Sequence, residues 1–270
     1  MKTFLRIVTI IVFAFLYIPI LLLVVASFSS GSSIATFVDF TFHNYSELFA
    51  DTDLIGLLMN SVLLALISST LAAIIGTVAC FGIFKMRKRT QRMIMNVTNI
   101  PITNPDIVTG ISLSLLFAFI GSVLKIQSIL GFTTLLIAHM TFNLPYCILS
   151  VMPKLKQLDP SLGEAALDLG CTPLQSFFKV LLPEILPGII TGFMTSFTMS
   201  LDDFVISYFV AGSKFTTLPI EIYNYTKKPI PSKIYALFTI VFFAVLIIMI
   251  LMNTLEVQDE KRRNKVFDKQ

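Results

Sequence analysis

Glu164-Ala165-Ala166-Leu167-Asp168-Leu169-Gly170-Cys171-Thr172-Pro173, followed by Val180-Leu181-Leu182-Pro183, fills a polar gap between two apolar segments. The gap opens with Asp159-Pro160, where Asp suits a helix N-cap and Pro the first helical turn. Gly170 suits the left-handed stop that ends such a helix. Thr172-Pro173 repeats the cap-plus-proline start. Leu174, Phe177, Phe178, Leu181 and Leu182 then recur at helical spacing. The stretch predicts two short helices around a glycine turn. Ala165 and Ala166 offer a small-side-chain surface for a partner groove, and Glu164 offers a charge.

The rest of the chain is a membrane protein by composition. It has 270 residues, 55% hydrophobic and 13% charged, with a mean hydropathy of +0.84. Soluble domains carry about 25% charged residues. A bilayer span takes about 20 mostly apolar residues, and six runs qualify, near 5–28, 57–84, 96–121, 133–153, 184–212 and 234–255. The first follows Lys2 and Arg6, but its apolar run is too long for a signal sequence and no small-residue cleavage site ends it. It is expected to be an uncleaved span. Of the 20 Lys and Arg residues, all but Lys125, Lys214, Lys227, Lys228 and Lys233 fall on the side of the N-terminus. The first opposite loop, 29–56, has no Lys or Arg and carries Asp39, Glu47, Asp51 and Asp53. The positive-inside rule then predicts N-in, C-in, with the 154–183 loop in the cytoplasm. One transmembrane domain over 1–255 and a charged cytoplasmic tail over 256–270 are expected, in contact with membrane lipids.

The pattern contains no phosphate-binding loop, no paired-His metal spacing and no nucleophile elbow. Catalytic residues, a metal and a resident cofactor are therefore not expected, and nucleic acid is not an expected partner. Cys80, Cys147 and Cys171 have unrelated spacings and are expected to be small buried hydrophobes. The candidate transport residues are acids inside the membrane. Ser200-Leu201-Asp202-Asp203-Phe204 lies toward the outer half of the fifth run. A carboxylate at bilayer depth costs about 2.5–3.5 kcal/mol, so adjacent acids need a cation, water or protons. Adjacent helical residues diverge by about 100°. Either a wide cavity serves both, or one acid faces it while the other pairs structurally. Asp106, read as some ten residues into the third run, is a further path candidate; Asn104-Pro105-Asp106 also suits a capped helix start. Tyr45 and Tyr223 are candidate rings for an organic cation. His139 and Asn143 are expected to hydrogen-bond between helices rather than relay protons.

The Glu164-Ala165-Ala166, Gly170 and Val180-Leu181-Leu182-Pro183 spacing resembles the EAA signature of ABC-importer permeases, with Val180 in place of the usual Ile and Cys171 in place of the usual Ala. Ser200-Leu201-Asp202-Asp203-Phe204-Val205, Thr217-Leu218-Pro219-Ile220, Ile222-Tyr223, Pro105-Asp106-Ile107-Val108 and Thr141-Phe142-Asn143-Leu144-Pro145 resemble the spermidine/putrescine permeases of the PotC type. The resemblance, over roughly 55–255, implies an all-α membrane protein with six transmembrane helices and the type I ABC-importer permease fold, in the bacterial inner membrane. It implies a homologous second permease (PotB-type), an ATPase dimer (PotA-type) that binds ATP-Mg, and an extracytoplasmic polyamine-binding protein (PotD-type). Glu164, Ala165, Ala166, Gly170 and Pro183 would meet the ATPase. Asp106, Ser200, Asp202, Asp203, Tyr45 and Tyr223 would line or shape the substrate path. Another small solute (ferric ion, thiamine, phosphonate) and a proton-coupled secondary transporter are the alternatives.

Overall fold

A computed structural model describes residues 2–31, 37–126, 128–159 and 161–267, so Pro160 and the end of the charged tail lie outside the described residues. The chain is helical: α1 (Lys2–Ser27), α2 (His43–Ala50), α3 (Thr52–Phe84), α4 (Lys88–Thr103), α5 (Asp106–Val123), α6 (Phe132–Gln157), α7 (Ser161–Asp168), α8 (Pro173–Ser176), α9 (Leu182–Asp202), α10 (Val205–Val210), α11 (Leu218–Tyr225) and α12 (Ser232–Phe267). Among the described residues, six helical stretches are long and apolar enough to cross a membrane: Phe4–Ser27, Thr52–Phe84, Asp106–Val123, Phe132–Gln157, Pro173–Asp202 and Ser232–Leu251.

Two of these differ from the sequence expectation. The third span is 106–123 rather than 96–121, because α4 is a separate helix that stops at Asn104-Pro105. Asn104 is extended (φ −78°, ψ 137°), as the proline ring after it requires. The fifth span is 173–202 rather than 184–212. The Thr172-Pro173 start does not close a short helix; it opens the span itself. The tail expected from residue 256 onward begins as a continuation of α12.

The chain divides into two compact units, Met1–Leu58 with Glu221–Ile248, and Met59–Ile220 with Met249–Gln270. In the larger unit, α6 and α9 meet along a seam of small residues. Gly188, Gly192, Ser196 and Ser200 recur every fourth position on α9 and are all buried. A Cβ on Gly188 would fall 2.8 Å from the Ser150 carbonyl oxygen, and one on Gly192 would fall 3.1 Å from Cys147 Cα. On α3, a Cβ at Gly76 would come within 2.8 Å of Cys147 Cβ. Lipid supplies no hydrophobic drive between helices, so such close backbone approach and the polar contacts it permits hold the bundle together. Cys147 contributes one of them, its Sγ 3.1 Å from Ser196 Oγ. Cys80 and Cys147 are buried as expected, while Cys171 is half-buried. Leu64, Phe117, Leu135, Ala138, Ile206 and Val210 form a second cluster joining α3, α5, α6 and α10.

In the smaller unit, Lys233 at the start of α12 lies 2.9 Å from Asp51 Oδ2 and 3.4 Å from Glu47 Oε1. Asp51 Oδ1 also accepts the Leu54 N–H at 3.0 Å, closing the first turn of α3. The Leu54 N–H and the Lys233 ammonium hold the Asp51 carboxyl below its usual range.

Gly188→Val should lower the stability of the detergent-solubilised protein by about 1–3 kcal/mol through overpacking. Gly82→Val, where a Cβ meets nothing within 4 Å, should change it little. Thermal unfolding of both variants checks this. For Asp51 the shift is downward, so its contribution is present above the ordinary Asp pKa and lost as pH falls through its lower native value. The gap in thermal midpoint between wild type and Asp51→Ala should therefore be wide at neutral pH and close as the solution is acidified below about pH 4.

Candidate functional site

The loop between α6 and α9 is built by local hydrogen bonding. Asp159 Oδ1 accepts the Ser161 N–H at 2.9 Å, the capping role its side chain suits. Gly170 takes φ +84°. Its N–H donates to the Leu167 carbonyl at 2.9 Å and that of Cys171 to the Ala166 carbonyl at 3.0 Å. This pair of bonds closes α7 in a left-handed Schellman turn. Thr172 and Gln175 cap each other's backbone N–H at 3.3 and 3.1 Å, starting α8. Ser176 Oγ donates to the Gly163 carbonyl at 3.4 Å, tying the two arms. Phe177 then packs edge-on against Phe81 of α3 at 4.6 Å.

Between α8 and α9 lies a π-helical turn, Phe177–Leu181, in which the Leu182 N–H reaches the Phe177 carbonyl. Pro183 follows at once. It has no N–H to give and its ring crowds the carbonyl one turn back, and the widened turn makes room for it. Glu164 and Ala165 are exposed, but Ala166 is buried inside the loop, correcting the expectation that both alanines face outward. Sequence reasoning passed over Leu169, which is 85% exposed; Leu174 at 72% and Phe178 at 60% extend the same apolar character. The signal was available: a Leu directly before a helix-ending Gly sits outside the turn's buried face.

At the far end of α9, the helix stops at Asp202 and α10 starts at Val205. Asp203 makes this break. Its backbone turns extended (ψ 115°). Its carboxylate accepts the Ile206 N–H at 3.2 Å and the Ser207 N–H at 2.8 Å, satisfying the opening donors of α10. His139 on α6 is fully buried. Its Nδ1 lies 2.6 Å from Ser200 Oγ, and its Nε2 lies 2.9 Å from Ser207 Oγ and 3.4 Å from Asp203 Oδ2. Ser200 Oγ is 3.0 Å from Ser68 Oγ on α3, to which Asn143 Nδ2 donates at 3.5 Å. The expected helix-to-helix hydrogen bonding of His139 and Asn143 is what the structure contains.

Ser200, Asp202 and Asp203, all candidates for the substrate path, are separated by the structure, and of the two arrangements open to the acid pair it contains the one in which one acid pairs structurally. Ser200 is buried and Asp203 is turned into the polar network, while Asp202 is exposed. Asp106 is the first residue of α5 and exposed, not ten residues into a span. Asn104 does not cap α5; its Nδ2 donates to Thr109 Oγ1 at 2.9 Å. Gly110, one turn beyond Asp106, lies against α10, where an added Cβ would stand 3.3 Å from Ile206 Cα. The opening turns of α5 and α10 are thus neighbours. Tyr45 and Tyr223 belong to the smaller unit. The Tyr45 hydroxyl is 2.8 Å from Ser27 Oγ and its ring packs on Phe28 at 5.1 Å. Tyr223 carries the Lys227 ammonium over its ring at 4.4 Å, a cation–π contact. Among the described residues no group of His, Cys, Asp or Glu is placed to hold a metal ion.

Residues 68–263 match the family described as binding-protein-dependent transport system inner membrane component. The chain belongs to that family. It is 35% identical over 252 residues to the putrescine transport system permease protein PotI of Escherichia coli K12, covering 93% of this chain and 90% of that protein. It is 34% identical over 253 residues to the spermidine/putrescine transport system permease protein PotC of the same strain, covering 94% and 93%. A solved bacterial ABC transporter that imports alginate shares the fold, at TM-score 0.71 and 13% identity over 96% of this chain and 95% of its own. The chain is therefore an inner-membrane permease component with the ABC-transporter permease fold. The polar network and the broken helix belong to the bundle of a transport subunit.

The two neighbouring acids should behave differently. Asp203→Ala removes the acceptor for two backbone N–H groups and the partner of His139, and should destabilise the permease by about 1–3 kcal/mol. Asp202→Ala should leave the unfolding midpoint nearly unchanged. Thermal unfolding of the two purified variants distinguishes them.

Proposed function

We propose that this permease is a subunit of an ATP-driven importer of polyamines, putrescine and spermidine. The observation that carries it is the end of α9 at the break. The last carbonyls of a long helix present about half a negative charge. Here they are joined by the exposed carboxylate of Asp202, with Asp106 on the helix that packs beside the break. Carbonyl ends of broken helices are where transporters take cations, and an alkylammonium is such a cation with hydrogen bonds to give. Tyr223 already accepts one alkylammonium, that of Lys227, on its ring face. The PotI and PotC relatives carry putrescine and spermidine/putrescine in their names.

In this reading a homologous second permease completes the path and an extracytoplasmic binding protein delivers the cation to it. The chain runs N-in, C-in. A separate ATPase dimer docks on the α7–α8 loop and the start of the span after it, where Glu164 supplies a charge and Leu169, Leu174 and Phe178 supply exposed apolar surface. Closure of the ATPases on ATP-Mg moves that loop. Phe177 against Phe81, and the unbroken run from Pro173 to Asp202, carry the movement from the loop to the break. Asp202 and Asp106 attract and guide the polyamine, and the buried Asp203 and Ser200 keep the break in shape.

Cells lacking this gene and any redundant carrier should regain uptake of labelled putrescine with the wild-type chain. With Asp202→Asn the KM should rise by about tenfold, which corresponds to the loss of one charge-assisted contact. Restored uptake of thiamine or ferric ion without any polyamine uptake contradicts the assignment. Leu169→Ser with Leu174→Ser should reduce recovery of the ATPase in a pull-down on this permease while leaving its membrane level intact. Full ATPase recovery with that pair removes the docking assignment.

A further inference from the structure

His139 stands outside every role given so far to the transport path, yet its buried ring meets three side chains at the break. The two sides of its ring reach different helices. Nδ1 meets Ser200 in the last turn of α9 at 2.6 Å, and Nε2 meets Ser207 in the first turn of α10 at 2.9 Å. Asp203, between those turns, faces Nε2 at 3.4 Å while its carboxylate holds the Ile206 and Ser207 N–H groups. The imidazole thus spans the break from the α6 side. In the tautomer that carries its proton on Nε2, the ring donates toward Ser207 and the Asp203 carboxylate, and Nδ1 accepts from the Ser200 hydroxyl. With this tautomer both ring nitrogens are satisfied.

The site leaves the ring no freedom. It is fully buried, and Ala138 beside it is buried as well. Ser200 is anchored in turn to Ser68 of α3 at 3.0 Å. Below the ring, the Gly188, Gly192 and Ser196 seam presses α9 onto α6. A helix broken at membrane depth leaves backbone groups that must be satisfied by protein or water. Asp203 satisfies the α10 side. The α9 side, where Asp202 sits, is held in direction by the Ser200–His139–Ser207 bridge.

We propose that His139 is a positioning residue for transport: it pins the α9–α10 break from α6 and so fixes the direction in which Asp202 and the carbonyl end of α9 face the substrate. The transport part of this inference rests on the polyamine reading above; the geometric part does not. Without the imidazole the two turns lose their common partner. Asp202 keeps its charge but not its direction, and a charge misplaced by about 1 Å weakens recognition far more than it weakens folding.

The test has two arms, both on the assembled transporter in membranes. In the first, putrescine uptake is measured for wild type, His139→Leu, His139→Gln and Ser207→Ala. His139→Leu should raise KM by about tenfold while Vmax per recovered ATPase stays within about twofold. His139→Gln, which restores a donor toward Ser207 and Asp203, should recover part of the loss. In the second, Asp202→Cys is placed in a Cys171→Ser background, and the rate of labelling by 2-aminoethyl methanethiosulfonate is compared with His139 intact, as Leu or as Gln. The rate should change several-fold with Leu and less with Gln. This arm does not depend on the cargo. Absent putrescine uptake by wild type removes the polyamine reading and leaves the labelling arm to judge the pin. Unchanged KM and unchanged labelling in His139→Leu and Ser207→Ala overturn the proposal. If His139→Leu fails to assemble, His139→Gln and Ser207→Ala decide it by the same two readouts.

Discussion

Close approach of α6 and α9 is the constraint on which the rest of the permease depends. In lipid, apolar side chains gain nothing by leaving one apolar surface for another, so helices associate through contact distance and buried polar groups. Gly188 and Gly192 remove the side chains that would keep the backbones apart, one with the Ser150 carbonyl and the other with Cys147 Cα directly opposite. Ser196 and Ser200 continue the same face with hydroxyls, one joined to Cys147 and the other to His139 and Ser68. A single face of one helix therefore passes from steric fit to hydrogen bonding as it runs toward the break. Each polar member has a partner because the glycines have already set the spacing.

That geometry divides the labour between the two ends of the fifth span. At one end the span begins in the loop that resembles the EAA signature, where a capping box, a π-helical turn and Pro183 carry it into the bundle. At the other it stops at Asp202, where the backbone of Asp203 turns extended and its carboxylate takes the Ile206 and Ser207 N–H groups at the start of α10. Two adjacent acids thereby acquire opposite environments: Asp203 is turned inward, its carboxylate held by those N–H groups, and Asp202 is left to face out. The loop at one end and the acid at the other are joined by one continuous helical run, Pro173–Asp202.

Much of this was legible in the residues. The Asp159 cap, the left-handed Gly170 and the Thr172-Pro173 start are local, one-turn devices, and each stands where its side chain says it should. The six apolar spans follow from length and composition. Span boundaries were less legible at Asn104-Pro105 and at Pro173. Apolar residues continue past both points, and what stops or starts the helix there is a backbone preference rather than hydropathy. The burial of Ala166, Ser200 and Asp203 was hidden for another reason: side-chain identity is the same whether a residue faces a partner or its own chain, and only the three-dimensional neighbours decide. The alternative in which one acid of the pair serves structure was nonetheless contained in the 100° separation of adjacent helical residues.

The most direct measurement is ATP-dependent import by proteoliposomes that contain this permease with its second permease, ATPase and binding protein, using labelled putrescine, spermidine, thiamine and ferric ion in parallel. The account predicts accumulation of the polyamines only, abolished by withholding ATP and weakened when Asp202 is neutralised. Accumulation of thiamine or ferric ion with no polyamine signal, or polyamine uptake by this chain alone without ATP, would contradict it.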